Sequence, residues 1–262
     1  MSVHPINLSS QHLRFCTVVG SLKKTTVDQI KERFDKDVER WSSLDSGQMS
    51  TIDSVLAMDL ITQSAALTTP GASHLLDVGS GAGNYTLKLL QRLPDIDVTL
   101  VDLSGPMLDR AVKRIKVVSS GEITRIQGDI RNVDLGKDRF DIVLASAVLH
   151  HLRNEGEWEA VFRKLYYALR PGGGFWVYDL VEHSLPAVQK LLWDRYGEYL
   201  VNFKDEEFRE LVYGYIIQED TPKPLLFQVD LMRRVGFVNA VVLHKNICYA
   251  AFGAVKPRAR SK

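Results

Sequence analysis

Three strand-tip carboxylates, a ladder of glycines and two adjacent histidines are the residues of this 262-residue chain whose types and spacing could do chemistry. In Asp77-Val78-Gly79-Ser80-Gly81-Ala82-Gly83 every second residue from Gly79 is glycine, and an acid stands two residues before the first. Such a turn takes backbone angles that a Cβ resists, and it lets a ligand approach the main chain closely. With a strand ending at Val78 and a helix starting near Tyr85, it makes a nucleotide seat whose helix N-terminus offers free amide donors. The spacing differs from the G-x-G-x-x-G turn that wraps a pyrophosphate. A carboxylate at Asp77 suits a cationic or amine-bearing ligand and repels a phosphate placed close to it. Asp102 reads as a ribose ligand, because one carboxylate can accept both hydroxyl hydrogen bonds, or as the cap of the turn that follows it. Asp129 lies in a Gly-Asp pair that also fits a plain turn.

His150 and His151 follow an apolar strand, at the edge where open α/β sheets bind ligands. A histidine there reads equally as a general base near neutral pH or as a structural residue capping the next helix. No metal is expected, since neighbouring histidines diverge in direction and no Cys/His/Glu cluster at ligand spacing accompanies them.

These groups require a sheet to position them. Short β-branched or apolar runs over 98–102, 121–126, 140–145 and 175–179 predict four strands after the one ending at Val78. The intervening helices include one capped by Ser104, with Pro106 in its first turn, and one over 157–169 ended by Arg170-Pro171-Gly172-Gly173-Gly174. A helix over 222–235 closes at Gly236-Phe237, and strands over 238–243 and 247–252 form a terminal hairpin turning at 244–246. Before the glycine turn, Val27, Ile30, Phe34, Val38 and Trp41, then Ile52, Val55, Leu56, Leu60 and Ile61, recur at helical spacing and predict two helices. The stretch 185–221 is rich in aromatics, among them Trp193, Tyr196, Tyr199, Phe203, Phe208, Tyr213 and Tyr215. It reads as a helical cap over the site, as a homodimer surface, or as ordinary packing. Asp179, Glu182 and His183 fall at or beyond the fifth strand's end, as substrate contacts or as solvated loop.

Composition narrows the class. Lys+Arg 33 against Asp+Glu 32 leaves a net charge of +1, without the global basic signature of nucleic-acid binding. Cys16 and Cys248 are too few for a disulfide scaffold, so a reducing cytoplasm is the expectation. Residues 1–14 lack the apolar core of a secretory signal, and no run approaches the roughly 20 apolar residues of a membrane span.

The stretch 74–86 resembles the first motif of class I S-adenosylmethionine (SAM) methyltransferases, and the resemblance extends over about 70–183 by motif and 222–254 by topology. It implies an α/β, Rossmann-like, seven-stranded, mostly parallel sheet with an antiparallel last strand, N-terminal helices and a helical insert before the last two strands. The implied division is 1–69 as a helical lid or extension, 70–254 as the SAM-binding domain with 185–221 as insert, and 255–262 as a basic tail. The resemblance places the methionine end of SAM by Asp77, Gly79, Ser80, Gly81 and Gly83. Ribose falls on Asp102 beside Leu103 and Met107, and adenine between Asp129 and Ile130; Ala145 completes the set. In such enzymes N-terminal helices often cover the cofactor, so Phe34 and Trp41 read as lid residues or as plain core. A histidine of Leu149-His150-His151 would face the methyl donor and substrate. The implied activity is methyl transfer from SAM to a small-molecule acceptor, leaving S-adenosylhomocysteine. Two other readings stand beside it: a carboxy-SAM synthase-like enzyme of tRNA wobble modification, with Arg209 reading the extra carboxylate, and a non-catalytic SAM-binding protein.

Overall fold

The computed structural model describes residues 24–43 and 50–258; the segment 1–14, Cys16 and tail residues 259–262 lie outside the described residues. Seven strands form one sheet: β1 His74–Val78, β2 Asp97–Asp102, β3 Ile123–Gln127, β4 Phe140–Ser146, β5 Leu169–Leu180, β6 Val238–Asn246 and β7 Tyr249–Val255. Their order is β3-β2-β1-β4-β5-β7-β6. Strands β1 to β5 are parallel, and β7 enters antiparallel between β5 and β6, the Rossmann-like arrangement the motifs imply. Strand order reverses at β1 and β4, so a crevice opens at their carboxyl ends.

The described helices are α1 Val27–Lys36, α2 Val38–Ser42, α3 Ser54–Thr68, α4 Asn84–Leu90, α5 Gly105–Ile115, α6 Glu155–Ala168, α7 Pro186–Phe203, α8 Glu206–Glu219 and α9 Leu225–Val235. Side chains alternate across the strands, so a sheet buried on both faces needs two apolar layers. Leu76, Val78, Val143, Phe175, Val177 and Phe252 meet Trp158, Phe162, Val229 and Met232 of α6 and α9. Their sequence neighbours Leu75, Ile142, Leu144, Trp176 and Tyr178 point the other way, onto α3, α4, α5 and the insert, against Met58, Ile61, Leu89, Leu108 and Tyr196.

Three boundaries differ from the sequence reading. The stripe before the glycine turn makes three helices, because the chain leaves the helix at Asp37, between α1 and α2. The Arg-Pro-Gly-Gly-Gly run does not separate α6 from the fifth strand. β5 starts at Leu169, which pairs with Phe140, and Gly172 and Gly173 exchange hydrogen bonds with Lys256, so the glycines distort the strand without ending it. At the hairpin, β6 continues through 244–246 because His244, Lys245 and Asn246 pair with Ala251, Ala250 and Tyr249; the turn falls at Ile247 and Cys248. Among the described residues, no helix is long and apolar enough to cross a membrane.

Candidate active site

The glycine loop leaves β1 and returns its amides to the sheet: the N–H groups of Gly79 and Ser80 donate to the Val101 carbonyl at 2.8 and 3.2 Å. A Cβ on Gly79 would stand 2.5 Å from Val148, so the β4 loop presses directly on the backbone there. Gly81 has φ +49 and, among the described residues, nothing beyond its chain neighbours within 4 Å of its Cβ position. It faces the cavity at the sheet's carboxyl edge, lined also by Asp77, Gly79, Ser80, Asp102, Leu103, Met107, Asp129, Ile130, His150 and His151. Two expected contacts lie off this cavity. Gly83 turns toward α5, where a Cβ would meet Ala111 at 3.2 Å. Ala145 is buried within β4, paired with Val78 and Val177, and the lining begins one residue later at Ser146.

Each strand-tip acid is held differently. Asp77 is buried and accepts from Thr86 Oγ1 at 2.6 Å. Burial, reinforced by the charge of Asp102, raises its carboxyl to about 7. Asp102 accepts from the backbone N–H of Gly81 and of Ser104, both at 2.8 Å, and burial pushes its pKa up. Asp129 is gripped by Arg131 through backbone and guanidinium N–H groups. Burial alone would raise its carboxyl, but the Arg131 hydrogen bonds and charge hold it below the ordinary carboxylate value. Ser80 Oγ is buried and has no hydrogen-bond partner among the described residues.

The histidines sit in an ionic network that joins three elements. Asp179, fully buried at the end of β5, accepts from the backbone N–H of Leu149 at 2.8 Å and of His150 at 3.1 Å, and pairs with His150 Nδ1. Asp220, just past α8, lies 3.6 Å from His150 Nε2 and 3.2 Å from His151 Nδ1. Burial would depress the His150 pKa, yet the charges of Asp220 and Asp179 raise it to about 9. The two carboxylates thus favour the imidazolium form of His150. His150, His151 and Asp220 bring one ligand atom each within 4.8 Å of one another, a cluster the sequence could not show. Burial would raise Asp220, but His150, a hydrogen bond from His151 and the charges of His151 and Arg33 hold it low. Asp220 is thus shared between the two histidines, joining the end of the insert to the β4 loop.

Helices α1 and α2 contribute to the cavity wall, with Phe34 and Trp41 among its lining residues. Arg33 donates to both carboxylate oxygens of Glu219, and Asn84 Nδ2 donates to the Trp41 carbonyl at 3.0 Å. Lys24 and Arg153 donate to carbonyls in the last turn and C-cap of α8, favourable for cations at a helix C-terminus. From the insert, Tyr196, Val212, Tyr215 and Ile216 supply one cavity wall, facing Tyr85 and Tyr178. Asp179, Glu182 and His183 do not line the cavity, and neither does Arg209, which pairs with Glu210.

A family model described as a methyltransferase domain matches residues 75–173, which carry the glycine loop, Asp102, Asp129 and both histidines. The ubiquinone/menaquinone biosynthesis C-methyltransferase UbiE of Paracoccus denitrificans is 26% identical over 216 residues, 79% of this chain and 80% of that protein. The chain carries a SAM-dependent methyltransferase domain. An O-methyltransferase family protein from Burkholderia thailandensis shares the fold of this methyltransferase, with a TM-score of 0.66 at 15% identity over 95% of this chain and 68% of its own. So does 1,6-didemethyltoxoflavin-N1-methyltransferase of the same organism, solved with 1,6-didemethyltoxoflavin and S-adenosylhomocysteine, at 0.59 and 16% over 97% and 93%.

SAM is the cofactor of this methyltransferase, and the cavity's chemistry fits it. The open space over Gly81 admits a close ligand, the buried Ser80 hydroxyl lacks a partner among the described residues, and the acids at the strand tips offer acceptors for an ammonium, two hydroxyls and an amine. Sequence reasoning missed Arg33, Arg40, Glu219 and Asp220, which reach the site from helices with no local motif.

Proposed function

We propose that this methyltransferase acts on a small, largely apolar acceptor, bound between the lid helices and the insert. The observation that carries the reading is the aromatic and aliphatic chamber contiguous with the acidic strand tips: Phe34, Tyr85, Tyr178, Tyr196, Tyr215 and Val212 share one cavity with Asp77 and Asp102. Bound SAM supplies an electrophilic methyl group on a sulfonium, so the chain's task is to bind, orient and exclude water. In this reading Asp77 and the loop at Gly79, Ser80 and Gly81 hold the amino-acid end. Asp102, with Leu103 and Met107 beside it, holds the ribose. Asp129 and Ile130 hold the adenine; Arg131 leaves the Asp129 carboxylate acceptor capacity to spare, because two oxygens offer about four lone-pair sites.

His150 has both ring nitrogens engaged by carboxylates and acts by positioning. His151 lines the cavity and its Nε2 makes no hydrogen bond among the described residues, so it is the histidine available to move a proton. The insert's Trp193, Tyr196 and Tyr213 pack inward on one another, which supports a cap. With Arg209 off the cavity, no observation favours the carboxylated cofactor. A reducing, cytoplasmic setting remains the reading of the two-cysteine composition.

The test is turnover: purified protein, SAM and a panel of small aromatic and aliphatic acceptors with ionisable O–H or N–H groups, followed by S-adenosylhomocysteine formation in mass spectra. Methylation of none of them, with macromolecular acceptors methylated instead, would overturn the reading. Two further results are expected. Asp102→Ala should weaken S-adenosylhomocysteine roughly 30-fold, since it removes charged acceptors for two hydroxyls; unchanged calorimetric affinity would remove Asp102 from the seat. Because a cationic ligand favours the Asp77 carboxylate, affinity should rise about tenfold from pH 6 to 8 as the group near 7 gives up its proton. Calorimetry in two buffers of different ionisation enthalpy would register that proton release, and a flat profile would refute the pairing.

A further inference from the structure

We infer that Arg40, on the lid helix α2, receives the α-carboxylate of the cofactor's amino-acid end, so that lid closure and cofactor binding are one event. The inference rests on the cofactor seat proposed above. That end carries two charges: an ammonium, for which Asp77 is the partner, and a carboxylate, which none of the acidic strand tips can accommodate. A carboxylate drawn out of water needs a cation or several donors.

Among the described residues, four guanidinium groups line the cavity, those of Arg33, Arg40, Arg131 and Arg153. Three are committed. Arg33 is forked onto Glu219. Arg131 holds Asp129 and reaches Glu157 at 3.0 Å. Arg153 is turned to the carbonyls of Thr25 and Glu219. The His150 imidazolium has a carboxylate at each nitrogen. Arg40 differs from all of these. Its guanidinium makes no hydrogen bond among the described residues; it lies 3.8 Å from Asp37, on a partly exposed edge, and 5.3 Å over the Trp41 ring. A loose pair of that kind contributes little and yields readily to a better-placed anion.

Position favours the same residue. The carbonyl of Trp41, next in sequence, is bound by Asn84, the first residue of α4 after the glycine loop. The backbone beside Arg40 is therefore pinned to the loop on which the amino-acid end would rest. An arginine meeting a carboxylate there would draw α2 inward and hold Trp41 and Phe34 over the cavity.

Isothermal titration with two ligands separates this role from a structural one. S-adenosylhomocysteine carries the carboxylate; 5′-methylthioadenosine keeps the nucleoside and thioether but lacks the whole amino-acid end. Arg40→Gln should weaken the first about 10- to 30-fold and the second less than twofold, with Arg40→Lys recovering part of the loss. Equal weakening of both ligands, or no change in either, would overturn the inference. Should the unaltered protein bind neither nucleoside, the cofactor seat itself fails, and the inference with it.

Discussion

Gly81→Val is expected to lower affinity for S-adenosylhomocysteine by at least about a hundredfold in a protein that still folds. The two halves of that expectation have separate causes. Gly81 sits at φ +49, where a β-branched residue is strained by roughly 1–3 kcal/mol. That is a modest part of the roughly 5–15 kcal/mol by which domains are stable, and a melting point lower by several degrees would report it. Among the described residues, nothing apart from its own chain neighbours lies within 4 Å of the new Cβ, which therefore meets no core side chain. The isopropyl group instead occupies the space through which a ligand would reach the loop. The same strain also threatens the 2.8 Å bond from the Gly81 N–H to Asp102, on which the ribose is proposed to sit. Gly79→Ala makes the contrast: its Cβ would collide with Val148 at 2.5 Å, so that variant should lose stability first. Normal affinity in a folded Gly81→Val protein would show that the ligand does not approach the backbone there.

The parts of the site visible in the sequence are those encoded by a strand and the turn after it. Asp77, Asp102 and Asp129 each end or follow a short apolar run, and a parallel sheet brings such ends to one edge whatever lies between them. The glycine ladder is likewise a local signal. What the sequence hid depends on packing or register. Gly83 carries the same spacing as Gly81 yet turns to α5, because a repeat of two says nothing about which way a loop curls. Ala145 lies one residue too early, and an apolar strand does not announce its last residue. Arg209 and Asp220 are both charged residues of the aromatic insert, but only the helix packing decides that Asp220 reaches the histidines while Arg209 pairs outside with Glu210. Arg33 and Arg40 were equally unreadable, since a basic residue on an amphipathic helix usually faces solvent. The resemblance to methyltransferases said least about these N-terminal helices and the insert, and they supply the walls that would select an acceptor.

Asp179→Ala should be the most destabilising single change around the site, by about 3–5 kcal/mol, or roughly 10 °C in melting temperature. The side chain is fully buried and accepts backbone N–H groups from Leu149, His150 and Leu180 as well as the His150 ring. Alanine would leave those donors unsatisfied and take one of two counter-charges from a buried imidazolium. The same network makes stability depend on pH in a definite direction. His150 is raised from 6.5 to about 9 in the folded protein, so its contribution is complete below about pH 6.5 and drains away as pH rises through 9. A shift of that size corresponds to about 3 kcal/mol. The difference in unfolding free energy between wild type and His150→Gln should therefore shrink between pH 6.5 and 9.5, because the variant lacks the titrating group. Asp179→Ala should show a shallower decline than wild type, with Asp220 left as the main charge sustaining the imidazolium. Chemical denaturation at several pH values measures all three proteins, and a wild-type curve parallel to that of His150→Gln would mean that His150 is neutral in the fold. In that event the tie between the β4 loop, the end of β5 and the cap would be an ordinary hydrogen bond, and either histidine could serve as a base.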